Sequence, residues 1–147
     1  MSDPRESIAG MIERYKVALF SKDVDAFADL YAADVRVFDA SGRWSYEGLE
    51  QWRKSAEAWF DSLPNGRVVV LTEGMQISAA SALGAANGFM IYKEMTQGGI
   101  ELRCRKRRFT WTLQKRLGLW KVVHEHASLP VEVESTSSIR EAPQPFI

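Results

Sequence analysis

The stretch "RYKVALFSKDVDAFADLYAADVRVFDASG", residues 14–42, contains most of the pattern that decides the fold of this chain. Its first residues complete a helix with apolar positions on one side. Asp23 then provides a cap for a predicted second helix, "VDAFADLYA" (24–32), and "DVRVFD" (34–39) alternates apolar and polar residues as a strand does. The predicted order is therefore helix, helix and strand, with Asp39 closing the strand.

The helical part extends on both sides of this stretch. Before it, Asp3 supplies a cap, Pro4 a first-turn proline and Glu6 a capping-box acid for a helix that runs to about Phe20. After it, "EGLEQWRKSAEAWFDSL" (47–63) predicts a third helix. The apolar stripe of that helix comprises Leu49, Trp52, Ala56, Trp59 and Leu63.

From Arg67 onward the pattern has period two and predicts four long strands. These are "RVVVLTEGMQISA" (67–79), "ALGAANGFMIYKEMT" (82–96), "IELRCRKRRFTWTLQK" (100–115) and "LWKVVHEHASL" (119–129). Helices followed by strands joined through short turns predict an α+β fold, with the helices covering one face of a curved antiparallel sheet. The space between sheet and helices is the expected pocket.

Composition narrows the class of protein. The chain has 147 residues, 46% of them hydrophobic, which suits one compact domain. Its 19 basic and 19 acidic residues cancel, so no overall field favours nucleic acid or an anionic membrane. Neither a signal peptide nor a membrane span is evident, and a cytoplasmic location is expected. Cys104 is the single cysteine, which excludes an internal disulfide.

The predicted domain covers residues 1–130, and a tail follows at 131–147. The tail is rich in serine, proline and glutamate. We expect it to pack on the domain or on a second subunit.

The order of elements, together with "LWKVVHEHASLP" (119–130), resembles the nuclear transport factor 2-like superfamily, in its SnoaL-like and ketosteroid isomerase-like branch. The resemblance extends over about residues 5 to 130. It implies a cone-shaped, curved antiparallel sheet covered by three N-terminal helices. It leaves the function open, because that superfamily contains isomerases, cyclases, dehydratases, hydrolases and noncatalytic binding domains.

The resemblance also implies two catalytic residues. Ketosteroid isomerases keep a tyrosine in an Arg-Tyr pair on the first helix, and an aspartate that ends the first strand shortly before a glycine. Tyr15 and Asp39 occupy these positions here. Asp39 would remove a proton next to a carbonyl group, and Tyr15 would donate a hydrogen bond to the enolate oxygen, without any cofactor. The family's late-strand acid has no counterpart between Arg103 and Gln114, so steroid isomerisation itself is not expected.

Each of these residues also has a structural interpretation. Tyr15 lies on the apolar stripe of its helix, as a core tyrosine would. Asp39 precedes a turn, where aspartate often accepts backbone hydrogen bonds. The resemblance places Glu125 on the cavity wall as a second acid. The remaining ligand-binding candidates are Tyr31, Trp44, Trp59, Met90, Tyr92, Arg107, Phe109 and Trp111.

The last strand holds both histidines of the chain, one residue apart. His124 and His126 share one strand face and could touch one metal ion, but the sequence offers no third ligand, so no metal site is predicted. The resemblance puts Glu125 and Ala127 toward the cavity and the histidines on the outer face, where we expect a homodimer to form. A bulge would reverse this assignment.

The run "RCRKRR" (103–108) contains five basic residues in six. Charges on both faces of a strand need partners, and cross-strand pairing with glutamates is one interpretation. The candidate glutamates are Glu73, Glu94, Glu101 and Glu125. The other interpretation is a guanidinium of Arg105, Arg107 or Arg108 that reaches the pocket and holds a carboxylate or another anion. Nucleic acid is not an expected partner, because the net charge is zero.

Two functions of different class follow from the sequence. The first is binding of a small, mostly apolar, carbonyl-bearing ligand in the helix-covered cavity, with cofactor-free isomerase, cyclase or dehydratase chemistry if the chain is an enzyme. The second is a noncatalytic homo-oligomeric assembly or ligand-sensing domain. An open cavity that holds both Tyr15 and Asp39 favours the first function.

Overall fold

A computed structural model describes residues 3–131 of the chain. Within this part the elements are α1 (Pro4–Ser21), α2 (Val24–Asp29), β1 (Tyr31–Phe38), β2 (Tyr46–Glu47), α3 (Leu49–Asp61), β3 (Arg67–Ala79), β4 (Leu83–Met95), β5 (Glu101–Arg116) and β6 (Leu119–Ser128). The strands form one curved, unclosed sheet in the order β2-β1-β6-β5-β4-β3, antiparallel except for the parallel pair β1 and β6. The predicted α+β fold is confirmed.

The packing of the tail falls outside the described residues from position 132 onward. Among the described helices, none is both long and apolar enough to cross a membrane.

The first helix begins and ends through identifiable caps. The Asp3 carboxylate accepts a hydrogen bond from the Arg5 amide at 2.9 Å, and Pro4 occupies the first turn, where its missing N–H costs nothing. Lys22 closes the helix in a left-handed conformation, and its N–H bonds to carbonyls of the last turn. The helix buries one face, on which Tyr15 lies, against the core.

The second helix is shorter than predicted. It ends at Asp29, and Tyr31 already belongs to β1, although the sequence pattern extended the helix through Ala32. The cause is the parallel neighbour β6, because the Val122 amide donates to the Leu30 carbonyl at 2.9 Å and Tyr31 pairs with Val122. Strand pairing at this point outweighs the local helical pattern. The Tyr31 side chain consequently enters the core from a strand.

A bulge in β6 changes the predicted faces of the last strand. Thr112 pairs with His124 but Leu113 pairs with Val122, so Val123 is the extra residue. Val122 therefore shares the buried face with Glu125 and Ala127, whereas strict alternation put Val122 with the histidines. His124 and His126 remain on the outer face.

The third helix and its neighbours build an aromatic core. Trp52, Ala56 and Phe60 are buried on one side of α3, while Trp59 is half-buried against the sheet. Phe27 lies at the centre of this core, with ring centroids 5.0 Å from Tyr31, 6.0 Å from Trp52 and 6.4 Å from Phe60. The core closes one end of the space between helices and sheet and leaves the other end open.

Candidate functional site

A cavity of about 420 Å³ lies between the helices and the inner face of β4 and β5. Its walls are largely aromatic, formed by Tyr15 of α1, Phe27 of α2, Trp52 and Trp59 of α3, and Tyr92 of β4. Its charged lining comprises Asp39, directly after β1, and the β5 residues Arg103, Arg105, Lys106 and Arg107. All three helices and the sheet therefore contribute to one site.

Four side chains form a hydrogen-bonded chain along the cavity wall. Arg107 Nη1 lies 2.5 Å from Asp39 Oδ1, and Arg107 Nη2 donates to the Tyr92 hydroxyl at 3.0 Å. The Tyr92 hydroxyl lies 2.9 Å from the Tyr15 hydroxyl. The same Asp39 oxygen also accepts from the Ala40 amide at 2.9 Å. Asp39 Oδ2 accepts no hydrogen bond from the described residues.

Tyr15 and Tyr92, the two tyrosines in this row of hydrogen bonds, are held in the neutral form. Burial raises the pKa of Tyr15 well above 10.0, and the nearby Tyr92 and Glu125 add to the shift. Burial also raises the pKa of Tyr92, against the opposing charge of Arg107. The Tyr92 hydroxyl is within 3.1 Å of Met90 Sδ, a weak acceptor. Both hydroxyl groups are therefore proton donors at neutral pH.

Arg107 joins Asp39 to Tyr92 within this row of hydrogen bonds. It also has one N–H donor, at Nε, that none of these bonds uses. Its guanidinium stacks over the Tyr92 ring at 4.6 Å from the centroid. Its Nε atom is buried and has no hydrogen-bond partner among the described residues. A buried donor without a partner is unfavourable, so a ligand acceptor at this position would be stabilised.

Glu125 lies in a separate polar pocket beneath the cavity. Its Oε1 accepts from the Tyr31 hydroxyl at 2.6 Å and from Trp111 Nε1 at 2.8 Å, and all three side chains are buried. Burial raises the pKa of Glu125 despite the opposing influence of Arg107. None of the three residues lines the cavity. Glu125, which the sequence predicted as a cavity acid together with Asp39 and Tyr15, is therefore not part of the cavity lining, although its charge still influences Tyr15.

The arginines of β5 become more buried toward the interior. The exposed fractions of the side chains are 57% for Arg103, 46% for Arg105 and 18% for Arg107. Glu94 of β4, at 7% exposure, accepts from Arg103 at 3.2 Å, from Arg105 at 3.1 Å and from Trp59 Nε1 at 3.1 Å. We call Arg103, Arg105 and Glu94 the rim cluster. Lys106, which lies between Arg105 and Arg107 in the sequence, pairs with Glu73 at 2.9 Å, so the predicted pairing with Glu73 and Glu94 is present.

The remaining candidates lie at different depths. Met90 is buried beneath Tyr92, and Phe109 packs edge-on against Trp111 in the core. Trp44 is 74% exposed in the loop after β1, beside a shallow hollow that also includes Phe38 and His126. Of the predicted ligand-binding residues, Trp59, Tyr92 and Arg107 line the cavity.

Sequence reasoning missed part of this site. Phe27 and Trp52 were assigned no ligand-binding role, yet both line the cavity. The pairing of Asp39 with Arg107 was not anticipated either. The spacing of Arg103, Arg105 and Arg107 at every second position was the available signal, because it puts three guanidinium groups on one strand face.

The histidines lie away from the cavity. His124 Nδ1 is 2.7 Å from the Arg36 carbonyl oxygen, and both imidazole rings contact Phe38 edge-on. In the part of the chain that the structure describes, no group of three or more His, Cys, Asp or Glu side chains is arranged to hold a metal ion.

Comparison with known proteins gives one family and many similar structures. A model of the SnoaL-like domain matches residues 8–132. An NTF2-like protein of unknown function from Pseudomonas putida KT2440 is 25% identical, with a TM-score of 0.75 over 88% of this chain and 89% of that chain. A putative calcium/calmodulin dependent protein kinase II association domain from Xanthomonas campestris is 19% identical, with a TM-score of 0.74 over 90% and 91%.

A third similar structure carries an enzyme's name. It is a putative aromatic ring hydroxylase from Novosphingobium aromaticivorans, 14% identical, with a TM-score of 0.70 over 87% of this chain and 90% of that chain. At this identity the likeness shows the fold alone. No curated protein matches the chain.

Proposed function

Because this chain belongs to the SnoaL-like domain family, we propose that it binds a small, mostly apolar, carbonyl-bearing ligand in the cavity and catalyses cofactor-free proton transfer on it. Isomerisation, cyclisation and dehydration all begin with such a transfer next to a carbonyl group. The observation that carries the proposal is that Asp39 and Tyr15 line the same cavity and are joined through Arg107 and Tyr92.

The size and lining of the cavity support a small ligand. Its volume of about 420 Å³ lies within the usual range of small-molecule sites. Phe27, Trp52 and Trp59 offer apolar surface, and the charged groups come from β5 and from Asp39 after β1. Such a site orients a ligand by its carbonyl group and holds the rest of it by apolar contact.

Asp39 is the proposed base. Its Oδ1 is occupied by Arg107 and the Ala40 amide, and these bonds fix the orientation of the carboxylate. Oδ2 remains available to receive a proton from the ligand carbon next to the carbonyl group. The proton then resides on Asp39, and the electron pair moves to the carbonyl oxygen.

The tyrosines and Arg107 are the proposed stabilisers of that oxygen. Tyr15 and Tyr92 hold protons at neutral pH, and the Tyr92 hydroxyl proton is directed at a thioether. A developing enolate oxygen is a far stronger acceptor than sulfur, so a hydroxyl proton would turn toward it. The positive charge of Arg107 on the Tyr92 oxygen strengthens that donor. Arg107 thus supplies charge where the resembling isomerases use a second acid.

The test is hydrogen exchange on a panel of cyclic ketones in deuterium oxide, followed by NMR. Asp39→Asn keeps an oxygen that accepts from Arg107 and Ala40, but it is not a base, so we expect exchange to slow by at least about a hundredfold. Tyr15→Phe removes one donor and is expected to slow exchange by on the order of a hundredfold. Glu50→Gln, on the exposed side of α3, is the control and is expected to exchange like the natural protein.

Equal exchange rates for the natural protein and Asp39→Asn would contradict the role of Asp39. If no ketone of the panel exchanges faster with the folded protein than with the unfolded protein, the catalytic part of the proposal is contradicted. Ligand binding is then judged separately by titration.

We also propose that the chain forms a homodimer through the outer sheet face that includes His124 and His126. Phe38, His126, Thr110 and Asn87 are in register across β1, β6, β5 and β4, and none of them is charged. Interface centres are poor in charged residues. This face supports the alternative of an assembly domain as well, but the open cavity favours a ligand-binding function over assembly alone.

A further inference from the structure

We infer that the cavity takes a ligand that carries a carboxylate as well as a carbonyl group, and that the rim cluster holds this carboxylate. The inference rests on the proposed function, since it concerns the same cavity, but it assigns a second recognition point. The ligand class is a mostly apolar, aromatic or unsaturated keto acid.

The geometry separates the two polar ends of the cavity. On adjacent strands, Met90 pairs with Arg107, Tyr92 with Arg105 and Glu94 with Arg103. The inner face therefore changes along its length from the tyrosine and Asp39 end to the rim cluster. Arg105 and Arg107 are two positions apart on β5, and two residues along a strand span about 7 Å. A ligand with polar groups at both ends and an apolar body between them matches this spacing.

The charges along this polar wall of the cavity favour an anion. Arg103, Arg105 and Arg107 contribute three positive charges on one strand face, whereas Glu94 and Asp39 contribute two negative charges. One positive charge is left over on this wall. Arg103 and Arg105 each contact Glu94 through a single nitrogen, Nη2, so further N–H groups remain to donate.

The aromatic walls explain why an inorganic anion alone is not the best ligand. Trp59 reaches the rim, where its Nε1 donates to Glu94, and its ring lies 5.9 Å from that of Tyr92. An apolar ring placed beside Trp59 and Trp52 buries surface that a free phosphate ion does not have. The combination of arginines and indole rings therefore selects a ring compound with an acidic group.

The test compares two probes of the same shape, naphthoate and its neutral amide, naphthamide, by isothermal titration calorimetry. We expect the natural protein to bind naphthoate about tenfold more tightly, as one partly exposed charge-assisted contact allows. Arg105→Gln is expected to remove most of this preference and to leave naphthamide binding unchanged. Arg108→Gln, on the opposite face of the same strand, is the matched control and should keep the preference.

Glu94→Gln is expected to change the affinity for naphthoate in the opposite direction from Arg105→Gln. It keeps an oxygen for Trp59 and the arginines but removes the competing negative charge, so naphthoate should bind more tightly, by about tenfold. A merely structural role of the rim cluster would weaken binding in both variants. Opposite signs for Arg105→Gln and Glu94→Gln therefore support the inference.

Several results would overturn the inference. These are equal affinity for the two probes, an unchanged preference in Arg105→Gln, or no binding of either probe. The test is independent of catalysis, because Asp39→Asn should slow hydrogen exchange on ketones and still prefer naphthoate. Exchange without the charge preference would leave the proposed function intact and refute only the anionic ligand.

Discussion

At the scale of the residue, two carboxyl groups of this protein have opposite surroundings. Asp39 is bonded to the guanidinium group of Arg107 at the cavity wall. Glu125 is fully enclosed and receives hydrogen bonds only from the neutral donors Tyr31 and Trp111. Desolvation penalises the charged form of a carboxyl group that has no cation bonded to it. Glu125 therefore organises the aromatic core by accepting from Tyr31 and Trp111, while Asp39 is the base that we propose.

The raised pKa of Glu125 predicts a specific pH dependence of stability. The folded protein holds this proton at a pH where the unfolded chain has released it, so the free energy of unfolding falls as pH rises from 4.5 through the higher folded value. Glu125→Gln accepts the same two hydrogen bonds without titrating. Urea unfolding at several pH values should show a flatter pH profile for this variant; an identical profile would contradict the prediction.

Glu125→Ala is the companion variant. It leaves the Tyr31 hydroxyl and the Trp111 N–H buried without an acceptor, at a cost of about 1–3 kcal/mol for each donor. We therefore expect a clear loss of stability at every pH. The difference between the two variants separates the hydrogen bonds from the charge.

At the scale of the element, a bulge in β3 shapes the wall that carries Tyr92. The register of β3 and β4 shifts between Glu73 and Gln76, and Gly74 adopts a left-handed φ of 60°. The bulged backbone lies directly on Gly88 of β4. A Cβ atom at Gly88 would lie 3.0 Å from the Glu73 carbonyl oxygen and 3.1 Å from Met75 Cα. Two elements therefore fit together only because position 88 has no side chain.

Gly88→Ala should destabilise the protein by about 1–3 kcal/mol, because backbone atoms on three sides would have to move. Gly10→Ala is the matched control, with the same added methyl group on the exposed side of α1, where nothing lies within 4 Å. It should stabilise the protein by up to about 1 kcal/mol through helix propensity. Thermal unfolding measures both. Equal effects of the two substitutions would contradict the packing argument.

At the scale of the whole molecule, the helices cover only one face of the sheet. The inner face carries the cavity and the core, and the outer face carries the uncharged row that contains Thr110 and His126. In a chain of which 26% is charged, an uncharged row across four strands is an expected feature of an interface. The proposed division into a ligand face and a contact face is consistent with this layer arrangement.

Thr110→Glu tests the proposed dimer. The substitution introduces a carboxylate at the centre of the row, and two copies brought together would bury it without a partner, so we expect the dimer to dissociate. Sedimentation velocity measures the mass. Gln51→Glu, on the exposed side of α3, adds the same charge and should stay dimeric. A natural protein that sediments as a monomer, or a Thr110→Glu protein that remains a dimer, would refute the proposed interface.

Local patterns explain why much of the fold could be predicted. The cap at Asp3, the helical stripe with Tyr15 and the alternation along β5 each involve neighbouring residues, and the structure contains all three. The predicted boundary of α2 was wrong because the pairing of Leu30 with Val122 is a contact between distant parts of the chain. Local propensity does not include such contacts.

The sequence by itself determined the types and order of the helices and the long strands, the helix-covered sheet and the set of chemically capable residues, because periodicity and capping act between neighbours. The short strand β2 (Tyr46–Glu47) was not predicted. Only the tertiary structure decided which of those residues meet. Asp39 and Arg107 are 68 positions apart, Tyr15 and Tyr92 are 77 apart, and Glu125 is directed to Tyr31 after the bulge at Val123. Strand register and one extra residue fix these contacts, and a one-residue shift would turn each side chain to the other face of the sheet.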